Sequence, residues 1–178
     1  MNTDHAQAEI RRNFVRGGPG AIVSSLVWFA AAFTFARSSH AAAFAVLFFG
    51  GFLIFPVSGL IEKFVFRRTV SVKGNPLGLI ALESTIAMIG CLLAAWLLLP
   101  VRPEVVFPVA AIAVGTHYFA FKTAYGDRTY WLLGALITLI GCAGIFWMPG
   151  QTMAVILGVA VIELLFGLWL TLQGSKDR

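Results

Sequence analysis

The chain has 178 residues, 59% hydrophobic and 12% charged, with net charge +5 and a mean hydropathy of +0.87. Soluble domains carry about 25% charged and about 45–50% apolar residues, so this chain cannot cover its apolar surface in water and takes the lipid bilayer as its solvent. The positive charge sits in short clusters bordering apolar runs, with no soluble domain to present a nucleic-acid-reading face, which excludes DNA and RNA as partners.

Residues 1–19 form a basic tail. Ile10 and Phe14 lie four apart among Arg11, Arg12 and Arg16, a pattern that predicts a short amphipathic helix on the cytoplasmic leaflet. Gly17-Gly18-Pro19-Gly20 then reads as a hinge into the first span. A spanning helix needs about 20 mainly apolar residues to cross the roughly 30 Å hydrocarbon layer. Six runs meet that length closely enough: 20–36, 41–61, 77–99, 105–121, 130–148 and 152–172. They make one domain, 20–172, followed by a tail over 173–178. Asn75-Pro76, Pro100 with Pro103, and Pro149-Gly150 mark connections between runs. Thr34-Phe35-Ala36 loosely resembles a signal cleavage site, but the basic region before the first run is long, and an uncleaved span is expected. The predicted fold is therefore all-α, a polytopic bundle of six transmembrane helices.

Of the 13 Lys and Arg residues, all but Arg37 and Arg102 fall in the two tails and the second and fourth connections. This positive-inside bias predicts that both termini are cytoplasmic, in a plasma membrane such as the bacterial inner membrane. The connection 62–75 interleaves Phe64 and Phe66 with Lys63, Arg67, Arg68 and Lys73. With Arg11, Arg12 and Arg16, the residues Lys63, Arg67 and Arg68 are candidates for contact with anionic lipid headgroups. Topology determination is the simpler account of such charges, since positive-inside residues need no partner.

A charged side chain at the centre of a spanning helix costs about 2.5–3.5 kcal/mol. Three such groups stand out: Glu83, His117 and Glu163. At a rise of about 1.5 Å per residue, Glu83 lies roughly 10 Å in from the cytoplasm, His117 about one turn from it, and Glu163 roughly 15 Å deep. Glu83 shares a face with Ala87, Gly90 and Ala94, His117 with Ala110, Ala113 and Ala120, and Glu163 with Ala160, Gly167 and Thr171. Small residues let backbones approach, so all three faces are expected to point into the bundle. Ser58, Ser84 and Thr85 occupy the same half, with Ser24 and Ser25 on the first run and Thr116 and Tyr118 flanking His117. Gly50-Gly51, Pro56 and Gly59 in the second run predict a kink or break of the kind transporters use. A three-plus-three inverted repeat is not well supported, because Glu83 is seven residues into its run and Glu163 twelve into its own.

HExxH, GxSxG and Walker A motifs are absent, and Cys91 and Cys142 have no CxxC partner. No metal or cofactor is called for. The leading reading is a small transporter or permease, proton-linked, with a polar cavity lined by Glu83, Glu163 and His117. The alternatives are a membrane-embedded enzyme acting on a lipid or isoprenoid substrate, and a non-catalytic scaffold or partner subunit. Bundles of this size commonly dimerise, but no face singles out a homodimer contact.

Overall fold

The computed structural model describes residues 2–71 and 73–177; Met1, Val72 and Arg178, the last of which belongs to the positive tally above, lie outside the described residues. The described chain contains α1 (Thr3–Asn13), α2 (Gly18–Arg37), α3 (His40–Phe64), α4 (Ile80–Leu97), α5 (Pro103–Tyr125), α6 (Thr129–Phe146) and α7 (Thr152–Gly174). The last six are long and apolar enough to cross a membrane, as the hydrophobic runs predict. Each span begins and ends within four residues of its expected limits.

Two antiparallel pairs build the bundle, α5 with α6 and α2 with α7, joined through α6–α7 and α5–α7 contacts; α3 packs on α2, and α4 on α5. Helix α5 is the most enclosed and α4 the least. The two pairs share one packing device. A Cβ on Gly115 of α5 would collide with the Thr138 side chain and its backbone nitrogen, and one on Gly18 of α2 would do the same at Thr171 of α7. Thr138 and Thr171 each stand four residues after a glycine, Gly134 and Gly167, whose backbone carbonyls complete the contact. Without a hydrophobic drive between helices in lipid, such close approaches supply the packing energy. Both threonine hydroxyls are buried with no conventional partner among the described residues, and a glycine Cα–H is the neighbour available to each as a weak donor.

Three expectations need correction. Helix α3 runs unbroken through Gly50-Gly51, Pro56 and Gly59; one proline removes a single backbone hydrogen bond, which a 25-residue helix tolerates. Helix α5 continues one turn past Phe121 to Tyr125, where Gly126 takes φ 66° and its N–H caps the Lys122 carbonyl at 2.8 Å. Helix α1 forms, yet its apolar face does not lie free. Ala6 and Ile10 are buried against the bundle, Gln7 and Arg11 donate to the carbonyls of Thr123 and Tyr125, and Asn75 bonds Ala6 and Glu9. The turn Val15–Gly17 joins α1 to α2 through three consecutive residues with positive φ (46°, 54° and 72°), a sharp corner of which Gly17 alone belongs to the glycine cluster, Gly18, Pro19 and Gly20 lying in α2.

Candidate functional site

Both chain ends meet at one face of the bundle, here the terminal face. Arg16 is its hub. Its guanidinium holds Asp177 through two contacts (2.6 and 3.3 Å), Asp127 at 3.2 Å and the Gln173 side-chain carbonyl at 3.0 Å. Its backbone carbonyl accepts the Tyr130 hydroxyl at 2.5 Å. Arg68 donates to the Gly174 carbonyl at 3.2 Å. Of the headgroup candidates, Arg11, Arg16 and Arg68 each have the guanidinium engaged by carbonyls or carboxylates of the chain itself. Arg12, Lys63 and Arg67 are exposed.

Glu163 lies at the middle of α7, eleven residues from either end of the helix, and is 0% exposed. The Tyr118 hydroxyl of α5 donates to its Oε1 at 2.8 Å, and Ser24 of α2 lies beside both groups. Its second oxygen, Oε2, is buried and has no partner among the described residues. The local cause is legible in the packing. Gly167, one turn along from Glu163, fits against the backbone of Gly18 and Ile22, which draws α2 onto α7 and sets Ser24 against the carboxyl.

The other two ionisable groups do not join it. Glu83, in the first turn of α4, is exposed, and Ala87, Gly90 and Ala94 on the same face are also uncovered by protein. The stripe that composition assigned to the interior faces outward: the buried residues of α4, which packs on α5, are Leu92 and Ala95 instead. His117 is half-buried, and its Nδ1 lies 2.9 Å from the Ser84 hydroxyl of α4. That hydroxyl also reaches the Ala81 carbonyl at 3.1 Å. Since α5 extends to Tyr125, His117 is two turns from the helix end rather than one. Thr85 and Ser58 bond back to their own helices at the carbonyls of Ala81 and Phe55, and Ser25 does the same at Ile22.

Two features escaped the sequence reading. Tyr118, adjacent to His117 and turned about 100° from it around the helix, is the residue that enters the core. Glu62, which the apolar pattern places at the start of a connection, lies at the end of α3, 2% exposed and one turn beyond Ser58 on the same buried face. Beside Glu163, starting from Tyr118, stands a stack of aromatic rings. Tyr118 lies 6.1 Å from Tyr130, and Tyr130 lies 5.2 Å from Tyr125 and 5.5 Å from Phe121, all within 30° of parallel. Among the described residues, no three His, Cys, Asp or Glu side chains come together as a metal site would require.

Fold and site together define a multi-pass helical membrane protein with a fully enclosed carboxyl, Glu163, in the middle of its last helix. The chain belongs to a family of unknown function, DUF7010, whose model matches residues 3–173. The match includes α1 as well as all six spans. No curated protein and no solved structure matches the chain.

Proposed function

We propose that this protein is a small proton-linked membrane transporter whose exchange centre is Glu163 with Tyr118 and Ser24. One observation carries the reading: a fully enclosed carboxyl at mid-helix, with one oxygen bonded to Tyr118, Ser24 beside it, and the second oxygen making no hydrogen bond among the described residues. An intramembrane ionisable group is costly and persists where a proton, a partner or a solute offsets that cost. The half-satisfied carboxyl has a bonding site in reserve for one of these. Glu83 has no part in the centre, and His117 with Ser84 lies on the neighbouring α4–α5 contact.

The enzyme reading draws less support. The apolar groove between α3 and α4, lined by Phe48, Phe49, Leu93, Ala94, Trp96 and Leu97, contains no titratable side chain, so a lipid tail seated there would find no acid or base in its lining.

The test uses purified protein in vesicles that enclose a pH-sensitive dye, challenged with a panel of organic cations and neutral polar solutes. A solute-evoked change in internal pH is expected from the wild type, lost in Glu163→Gln and retained in Glu83→Gln. An undiminished response in Glu163→Gln would overturn the assignment.

A further inference from the structure

Helices α6 and α7 are pinned together near the connection that joins them, where a Cβ on Gly144 would meet Val155 and one on Gly158 would meet Ile140. Towards the terminal face each is drawn to a different partner. Gly134 of α6 fits against the Gly115 carbonyl of α5, and Gly167 of α7 against the Gly18 carbonyl of α2. Between the two helices there lies a groove of 310 Å³, lined by Thr129 and Leu132 of α6 and by Leu165, Phe166 and Trp169 of α7. Apart from the Thr129 hydroxyl and the indole N–H, this lining is apolar. Ligand clefts run from about 300 to 1,000 Å³, so the groove suits one slender chain and not a bulky solute. Counted back from Gly174, Trp169 lies roughly 8 Å and Leu165 roughly 14 Å in from the end of α7. The indole is therefore at the depth of the headgroup boundary, where its ring has an apolar side and a wet one.

The mouth of the groove carries charge. One guanidinium, that of Arg16, holds both Asp127 and Asp177, which brings the start of α6 and the segment after α7 side by side. Arg128 and Lys176 are the sequence neighbours of these two aspartates. Both are exposed, and neither enters an ion pair among the described residues. With three basic groups and two acidic ones, the mouth is net positive. The apolar lining accepts a chain from any lipid, whereas two unmatched cations above it select a negative headgroup. We propose that this groove binds one anionic phospholipid, with an acyl chain along Leu132, Leu165 and Trp169 and its phosphate between Arg128 and Lys176. The site does not depend on the role of Glu163.

Quenching of tryptophan emission by brominated acyl chains tests this on the full chain in detergent micelles. The probe is phosphatidylglycerol with brominated chains, compared with phosphatidylcholine carrying the same chains. The signal is the part of the emission that Trp169→Phe removes. Phosphatidylglycerol is expected to quench it saturably, at about a 25-fold lower mole fraction than phosphatidylcholine. Arg128→Gln and Lys176→Gln should each raise its half-saturation about fivefold, the factor that one basic residue near an anionic surface contributes. The two together should remove the preference for phosphatidylglycerol. Lys63→Gln with Arg67→Gln deletes as many exposed cations elsewhere and should leave the half-saturation unchanged. All four positions are exposed, and thermal midpoints confirm that the variants are folded. Native mass spectrometry supplies a second reading, with one phosphatidylglycerol retained by the wild type and none by Arg128→Gln with Lys176→Gln. Equal quenching by the two lipids, or equal losses in the two double variants, would overturn the site and leave only a general attraction of basic protein to an anionic surface.

Discussion

Arg16 occupies a backbone conformation that costs most residues of order 1–3 kcal/mol, and Val15 beside it, β-branched at φ 46°, does the same. What over-determines this corner is the set of bonds that the Arg16 side chain and carbonyl make with Asp127, Asp177, Gln173 and Tyr130. The bidentate contact with Asp177 is the geometry a guanidinium fork favours. The Arg16 side chain is 22% exposed, so its ion pairs are partly screened. Arg16→Ala is expected to lower stability by about 1.5–3 kcal/mol, the range for hydrogen bonds to charged groups, and Arg16→Lys, with no planar fork, should recover only part of it; thermal unfolding in detergent measures both. At the inner end of the tyrosine stack, Tyr118→Phe leaves the Glu163 carboxyl without its hydroxyl donor. A loss of about 1–3 kcal/mol is expected for that unsatisfied group. Combined with Glu163→Gln in a double-mutant cycle, the pair should couple by about 0.5–3 kcal/mol; additive losses would show that the 2.8 Å bond contributes nothing.

At the scale of the helix, the spans were legible because hydrophobic length is a strong signal, whereas the faces were legible only in part. The small-residue rule placed the Ala160–Glu163–Gly167 face of α7 correctly, because Gly167 and Thr171 there meet a glycine on the facing helix. The same rule failed for α4, where nothing approaches within 4 Å of a Cβ built on Gly90. Small residues permit a close crossing without creating one; the partner backbone has to be there. On α5 the sequence drew attention to the imidazole, while the packing turned the neighbouring phenol inward. Glu62 was hidden by the end of a hydrophobic run, since a helix that continues past the apolar stretch carries its last charged residue in with it. The two glycine crossings give a sharp prediction. Gly115→Ala and Gly18→Ala would each press a methyl into backbone that cannot rotate away, and each is expected to cost at least about 1–3 kcal/mol. Gly20→Ala, which meets nothing within 4 Å, should be neutral or stabilising by up to about 1 kcal/mol through helix propensity. The order of the three unfolding midpoints in one detergent separates packing from propensity.

For the whole molecule, the uneven distribution of positive charge has two uses that composition alone cannot separate. Eleven of the 13 basic residues border one side of the predicted spans, and the structure gathers much of that charge around the meeting of the two chain ends. There Arg11, Arg16 and Arg68 bind carbonyls and carboxylates of α5, α7, the α5–α6 connection and the C-terminal segment after α7. Charges spent on internal bonds still act during insertion, when those partners have not yet assembled, so the positive-inside argument for cytoplasmic termini keeps its force. The exposed Arg12, Lys63 and Arg67 remain available to an anionic leaflet, each worth about 1 kcal/mol near such a surface. Reporter fusions distinguish the two roles. A fluorescent protein that matures only in the cytoplasm should glow at either terminus, and a periplasm-dependent phosphatase should be active when inserted after Ser38 and silent at both ends. Removing Arg12, Lys63 and Arg67 together should leave that pattern unchanged and weaken binding of the detergent-solubilised protein to anionic vesicles in a salt-dependent way. Inverted reporters in this triple variant would instead assign these exposed charges to orientation, leaving the lipid surface without a dedicated contact among them.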